Sequence, residues 1–284
     1  MANLKEIRNR IGSVSSTMQI TSAMKMVSAA KLKKAQDAIT AMRPYSNKLT
    51  KMLVDLSSSI DFENIYLKPR KAENLLVVCI TSNRGLCGAF NSNIIKKCFE
   101  LADNHEGNTS FFCIGKKGAD ILSKNHNVID SNNEIFDELS FEKVSLIAEV
   151  LMKKFTNKEV DRIQIVYNKF KNAATQIVMQ EQYLPIESTV TENNQQESAD
   201  YIFEPSKIEI ISELIPKSLR TQLFKSIRDS YASEHGARMT AMHKATDNAT
   251  ELRDQLKLTY NKARQAAITN EILEIVGGAE ALNS

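Results

Sequence analysis

Residues 4–42 read LKEIRNRIGSVSSTMQITSAMKMVSAAKLKKAQDAITAM, with apolar or small residues at Leu4, Ile7, Ile11, Val14 and Met18, and again at Leu32, Ala35, Ile39 and Met42. Steps of three and four return to one side of an α-helix and make the seam along which a second helix packs. Between the two halves the seam falls on Thr21, Lys25 and Ser28, while Met24, Met26 and Val27 carry the apolar character. The stripe is therefore expected to drift around the helix there, giving a loosely wound pair in place of a strict zipper. The helix should run from Leu4 to the mid-fifties, a rod of roughly 75 Å. Pro44, which lacks a backbone donor, should kink or loosen it.

The far end of the chain has the same character. Ser206-Lys207-Ile208-Glu209 has the spacing of a capping box, in which each side chain satisfies a free N–H at a helix start. Pro216 is tolerable as the first residue of a restarted helix. From Lys217 to about Val276 only Gly236 disturbs the helical pattern, a reach of roughly 90 Å. The stripe is Ala245, Ala249, Leu252, Leu256, Tyr260, Ala263 and Ala267, and Gly277-Gly278 is expected to end the helix. Small residues on both helices (Ala23, Ala29, Ala30; Ala263, Ala266, Ala267) permit close approach. Ile268, Ile272, Leu273, Ile275 and Val276 make the last turns apolar most of the way round. Such a helix is normally enclosed, so another protein is expected to surround this tip.

The segment between is α/β. Leu75 to Ile80 is a continuous apolar run, as expected of a strand covered on both faces. It leads through Thr81-Ser82-Asn83-Arg84-Gly85-Leu86-Cys87-Gly88 into a helical stretch ending near Ala102. Phe111 to Gly115 reads as a second buried strand, Ala119 to Lys124 as a short helix, Val128-Ile129 as a weak third strand, and Phe141 to Phe155 as a helix. Arg162–Asn168 and Gln176–Gln180 flank the turn residues Lys171-Asn172-Ala173, the pattern of an antiparallel hairpin. A small mixed sheet covered by helices follows. The stretch 57–73 reads as a linker and 187–200 as a mobile polar loop.

The net charge of +3 is unevenly spread. Residues 1–51 hold ten Lys/Arg against Glu6 and Asp37, a balance of +8; residues 52–205 carry −6 and 206–284 carry +1. A basic helix suits nucleic acid, an acidic lipid surface or an acidic protein partner, and is also what a solvated helix face looks like. No run of about eighteen apolar residues occurs, so nothing is expected to span a membrane. Met1-Ala2-Asn3-Leu4-Lys5-Glu6 lacks the apolar stretch of a secretion signal.

The motifs offer little chemistry. Gly85-Leu86-Cys87-Gly88 follows a buried strand but lacks the Gly-Lys-Ser/Thr ending of a phosphate loop and the three glycines of a dinucleotide fingerprint. His105, His126, His235 and His243 form no H-E-x-x-H motif, and no metal site is expected. Cys79, Cys87, Cys98 and Cys113 lack C-x-x-C spacing and read as thiols of a reducing compartment. Cys87, in a glycine turn, is the one expected to be exposed. From the residues alone, a coiled-coil adaptor displaying an α/β module and a basic nucleic-acid-binding protein both stay open.

Three stretches together resemble the gamma-subunit family of rotary ATP synthases: ITSAMKMVSAAKL at 20–32, Arg84-Gly85-Leu86-Cys87-Gly88, and YNKARQAAITNEILEIVGGA at 260–279. The similarity covers the whole chain in order. Gln19 and Asn83 stand where Lys and Asp are more usual, and the regulatory dithiol insertion of chloroplast forms is absent. The resemblance implies a long antiparallel coiled coil of the N- and C-terminal helices plus a Rossmann-like mixed-sheet α/β domain. The corresponding division is 1–56, 57–205 and 206–284. It implies a central shaft inside alternating alpha and beta subunits, with the epsilon subunit and the membrane c-ring as further partners. Catalysis would belong to the beta subunits, with no cofactor, metal or nucleic acid on this chain. Met24 and Lys25 on the first helix, and Arg238, Gln265 and Thr269 on the second, would be catches against acidic loops of the beta subunits. Ile268, Ile272, Leu273, Ile275 and Val276 would form the bearing tip, and Arg84, Gly85, Cys87 and Gly88 the turn of the α/β domain. The expected place is the cytoplasmic face of a bacterial inner membrane, without direct insertion.

Overall fold

A computed structural model describes residues 4–57, 65–71, 73–186 and 207–283. Residues 58–64 and 72 of the linker, the loop 187–200 and Ser206 of the capping box lie outside them. Helix α1 (Leu4–Ser57) opens the chain and helix α5 (Lys207–Asn283) closes it. Between them run β1 (Asn74–Ile80), α2 (Phe90–Asp103), β2 (Asn108–Ile114), α3 (Lys116–Leu122), β3 (Asn127–Asn132), α4 (Phe141–Thr156), β4 (Arg162–Phe170) and β5 (Gln176–Leu184). The chain divides into two compact units, one of residues 1–28 and 239–284, the other of residues 29–238. Each long helix contributes to both.

In the larger unit the five strands lie in the order β3-β2-β1-β4-β5. β1 pairs in parallel with β2 and β4, and β5 closes one edge antiparallel to β4. Alternation along β1 sorts its side chains between two cores, because successive Cβ atoms point to opposite faces. Leu76, Val78 and Ile80 join α4 and the first turns of α5, through Val144, Leu151, Ile215, Leu219 and Ile227. Leu75, Val77 and Cys79 join α2 through Phe90, Ile94 and Cys98. Burial on both faces explains why β1 reads as unbroken apolar sequence. β3 is an edge strand with mostly exposed side chains, and its signal is correspondingly weak. The Asn172 carboxamide oxygen accepts the Ala174 and Thr175 N–H groups at 3.0 and 2.7 Å and shapes the β4–β5 turn.

In the smaller unit α1 and α5 run antiparallel. Arg8 Nη2 donates to Tyr260 Oη at 2.7 Å, Arg253 Nη1 to Met18 Sδ at 3.4 Å, and Thr246 Oγ1 to Thr21 Oγ1 at 2.8 Å. As the number rises on α1 through 8, 18 and 21, it falls on α5 through 260, 253 and 246.

Several expectations are corrected. The stripe on α1 does not drift: Thr21 and Ser28 on the original seam are buried, whereas Met26 is 68% and Val27 57% exposed. The Thr21–Thr246 hydroxyl pair lets the seam pass through a polar position without leaving a donor unmet. α5 does not restart at Pro216, because Ile211, Ile215 and Leu219 on both sides of it are held in the core. Nor does α5 stop at Gly277-Gly278, which do not take the positive φ of a helix-ending glycine; it continues to Asn283. α1 likewise continues through Pro44.

Candidate functional site

Two regions carry the residues singled out by sequence. The first is the helix pair of the smaller unit. Along α5 the less exposed positions include Met242, Thr246, Ala249, Arg253, Leu256, Tyr260, Ala263 and Ala267, again in steps of three and four, with Ala245 and Thr250 beside them. Leu252, expected in the stripe, is 40% exposed; the stem of Arg253 takes its place. Beyond Ala267 every described side chain to Ala279 is exposed. The antiparallel register accounts for this: Arg8 lies at Tyr260, and among the described residues none of α1 lies opposite the last turns of α5. Ile268, Ile272, Leu273, Ile275 and Val276 are all exposed, Ile275 to 71%. Removing such side chains from water is worth roughly 1.5–3 kcal/mol each. The tip is therefore an apolar surface open to solvent.

Met24 and Lys25 are half-buried on α1, and Gln265 and Thr269 are exposed on α5. Thr269 Oγ1 donates to the Gln265 carbonyl at 2.9 Å, so these two are neighbours one turn apart. The register keeps them away from Met24 and Lys25, which lie beside the Thr21–Thr246 contact. Exposed Ile20, Met26, Val27 and Leu258 add apolar surface outside the seam. Their signal in the sequence is their position off the three-four spacing, which the expected drift of the stripe obscured.

The second region is the turn between β1 and α2 in the larger unit. Ser82 Oγ donates to the Arg84 carbonyl at 2.7 Å, and its N–H to the Asn91 carboxamide oxygen at 3.0 Å. Asn91 Nδ2 reaches Ser82 Oγ at 2.8 Å and Cys87 Sγ at 3.3 Å. Cys87, expected to be exposed, is buried, and burial raises its pKa against the opposing pull of Ser82 and Arg238. The polar cage around its sulfur turns the side chain inward. Leu86 is the residue pushed out instead, 65% exposed at φ 62°, followed by Gly88 at φ 59°. A leucine in the left-handed region carries strain of order 1 kcal/mol, which the surrounding contacts must hold.

Arg238 supplies some of those contacts. It is 7% exposed, with Nη1 2.6 Å from Glu234 Oε1 and Nη2 donating to the Arg84 carbonyl at 2.9 Å and the Gly85 carbonyl at 3.2 Å. The structure thus brings three of the sequence candidates together: Arg238, Arg84 and Gly85. Burial raises the Glu234 carboxyl pKa, against the opposing pull of the adjacent guanidinium. Sequence reading passed over Glu234, although a Glu four residues before an Arg is an ordinary helix pair; only burial distinguishes it. In doubly wound sheets ligands bind at the carboxyl ends of the strands. Here that end of β1 and β4 is taken by α5 itself, with Ser233 Oγ donating to the Asn168 carbonyl at 2.9 Å.

A family profile described as ATP synthase matches residues 3–282. The chain is 67% identical to the ATP synthase gamma chain of Flavobacterium psychrophilum, over 99% of each chain. It is 67% identical to the ATP synthase gamma chain of Flavobacterium johnsoniae over all of both chains. Among solved structures it resembles a chain of the Euglena gracilis mitochondrial ATP synthase assembly of OSCP, F1 and c-ring. That match has 25% identity and a TM-score of 0.74, over 98% of this chain and 94% of that one. Among the described residues no helix is long and apolar enough to cross a membrane.

Proposed function

The chain belongs to the ATP synthase gamma-chain family, and on that premise we propose that it is the central rotor shaft of a bacterial ATP synthase. It couples ion flow through the membrane ring to conformational cycling of the catalytic beta subunits. The observation that carries this reading is the α5 tip beyond Ala267: apolar, exposed, and with no α1 residue opposite its last turns among the described residues. A ring of alternating alpha and beta subunits is the enclosure such a tip requires. No chemistry is assigned to this chain; ATP is made and hydrolysed on the beta subunits.

A rotor acts by differential contact. A ligand that touches all conformers equally shifts none of them, so a shaft must present different faces to the subunits around it. The seam of small and polar residues, with apolar patches at Ile20, Met26 and Val27, gives such faces. Strong contacts all along would hold the rotor still, so a few catches are expected. Met24, Lys25, Gln265 and Thr269 are assigned as contacts with acidic loops of the beta subunits, and Arg238 serves the same coupling from within the chain. The three-part division at 1–56, 57–205 and 206–284 follows, with the α/β part facing the epsilon subunit and c-ring. The chain is then peripheral at the cytoplasmic face of the inner membrane, held there by the ring.

Co-purification with alpha and beta subunits tests the reading. The full chain should enter a stable complex that hydrolyses ATP, and a chain ending at Ala267 should fail to do so with the same efficiency. Equal assembly by both would refute the role given to the tip.

A further inference from the structure

Asp229, Ser230 and every residue from Ala232 to Arg238 on α5 are buried. Buried polar groups need partners, and three positions in this short span reach three different places in the larger unit, the last residues of β4 and two turns. Ser233 Oγ donates to the Asn168 carbonyl at 2.9 Å, and Asn168 Nδ2 in turn to the Phe90 carbonyl at 3.0 Å, which ties the end of β4 to the start of α2. Gly236 lets the β4–β5 turn close on the helix: a Cβ there would lie 3.2 Å from Ala173 Cα and 3.4 Å from the Phe170 ring. Arg238 holds the β1–α2 turn by the Arg84 and Gly85 carbonyls while Glu234 fixes its other arm.

We propose that Arg238, oriented by Glu234, is a positioning residue that clamps the 82–88 turn to α5 and so transmits torque between the helix and the sheet. The proposal rests on the rotor reading given above. Apolar packing is non-directional and resists sliding weakly, whereas hydrogen bonds weaken steeply once misaligned. A planar guanidinium with donors on both arms can bridge a carboxylate and two carbonyls at once; an ammonium on a flexible stem acts as a point charge. Arg238 thus acts through the turn, keeping the strained Leu86 presented and Cys87 enclosed, and its charge is spent inside the chain.

Two readouts test this on the full chain. The first is alkylation of Cys87 under native conditions, mapped by mass spectrometry, with Cys98 in the α2 core as the internal control for global unfolding. Loss of the charge-assisted bonds in Arg238→Ala should raise the Cys87 rate by roughly tenfold or more, with Cys98 unchanged. Glu234→Gln, which keeps the shape and an acceptor, should give a smaller rise and serves if Arg238→Ala fails to fold. The second is ion pumping per ATP hydrolysed in the reassembled complex, which should fall in Arg238→Ala. Arg238→Lys discriminates: the clamp predicts that it resembles Arg238→Ala in both readouts, whereas a charge acting directly on a partner would be rescued. An unchanged Cys87 rate in Arg238→Ala, or rescue by Arg238→Lys, overturns the proposal. A wild-type chain that fails to pump at all counts against the rotor reading, while the alkylation result still decides the clamp.

Discussion

Acidification from pH 7 to pH 5 should weaken the fold through one side chain, His235. Its ring is buried edge-on against Tyr231, with centroids 4.5 Å apart and planes at 82°. Among the described residues neither ring nitrogen has a hydrogen-bond partner. Burial, with Arg238 and Lys31 adding repulsion, lowers its pKa from 6.5 to about 3. The unfolded chain therefore takes up a proton near pH 6.5 that the folded chain refuses until about pH 3. Stability owed to this residue is full above pH 6.5 and falls as pH drops through that window. One pKa unit is worth about 1.4 kcal/mol, so the loss by pH 5 is about 2 kcal/mol. His235→Phe keeps a ring of similar shape and removes the titration. Urea unfolding of both proteins at pH 7 and pH 5, followed by circular dichroism, isolates the difference, since all other titrating groups are shared. The wild type should lose about 2 kcal/mol more than the variant over this interval. Parallel pH profiles, agreeing within about 0.5 kcal/mol, would refute a buried neutral imidazole at this site.

Other substitutions test other parts of the account. Gly115→Ala places a Cβ into the Thr81 carbonyl at a backbone φ of 105°, and should cost several kcal/mol in thermal or urea unfolding. Gly236→Leu should destabilise by about 1–3 kcal/mol as the β4–β5 turn is forced away from α5, whereas Gly236→Ala should stay within about 1 kcal/mol because helix propensity offsets the tight contact. Thr21→Val removes the hydroxyl that meets Thr246 and should cost about 1 kcal/mol, read from the unfolding midpoint. Leu273→Asp combined with Ile275→Asp should leave the isolated chain within about 0.5 kcal/mol of wild type, while pull-down of alpha and beta subunits is lost.

The α/β core was legible because its strands, sheathed on both faces, leave unbroken apolar runs. The hairpin was legible through the turn residues that separate β4 from β5. Helix length and the seam were legible too, but the fate of Thr21 and Ser28 was not. Polarity at a seam position has two solutions, a shifted stripe or a hydrogen bond across it, and the choice depends on which residue of α5 lies opposite. Cys87 failed for a related reason: flanking glycines suggest an open turn, yet Ser82 and Asn91, a few residues to either side, draw the sulfur inward. The helix-ending reading of Gly277-Gly278 relied on a backbone conformation these glycines do not adopt. At the candidate site, the exposed tip followed from composition alone. The buried Arg238–Glu234 pair did not, because an i,i+4 ion pair looks the same in sequence whether water or a sheet covers it.

The most direct test is rotation. Lys124→Cys, in the exposed turn that follows α3, can be labelled selectively, because all four native cysteines are buried. With the alpha and beta subunits fixed to a surface, the label should turn stepwise in one direction while ATP is supplied, and stop when it is withdrawn. A label that stays still, or merely fluctuates, while the complex hydrolyses ATP would contradict the rotor account.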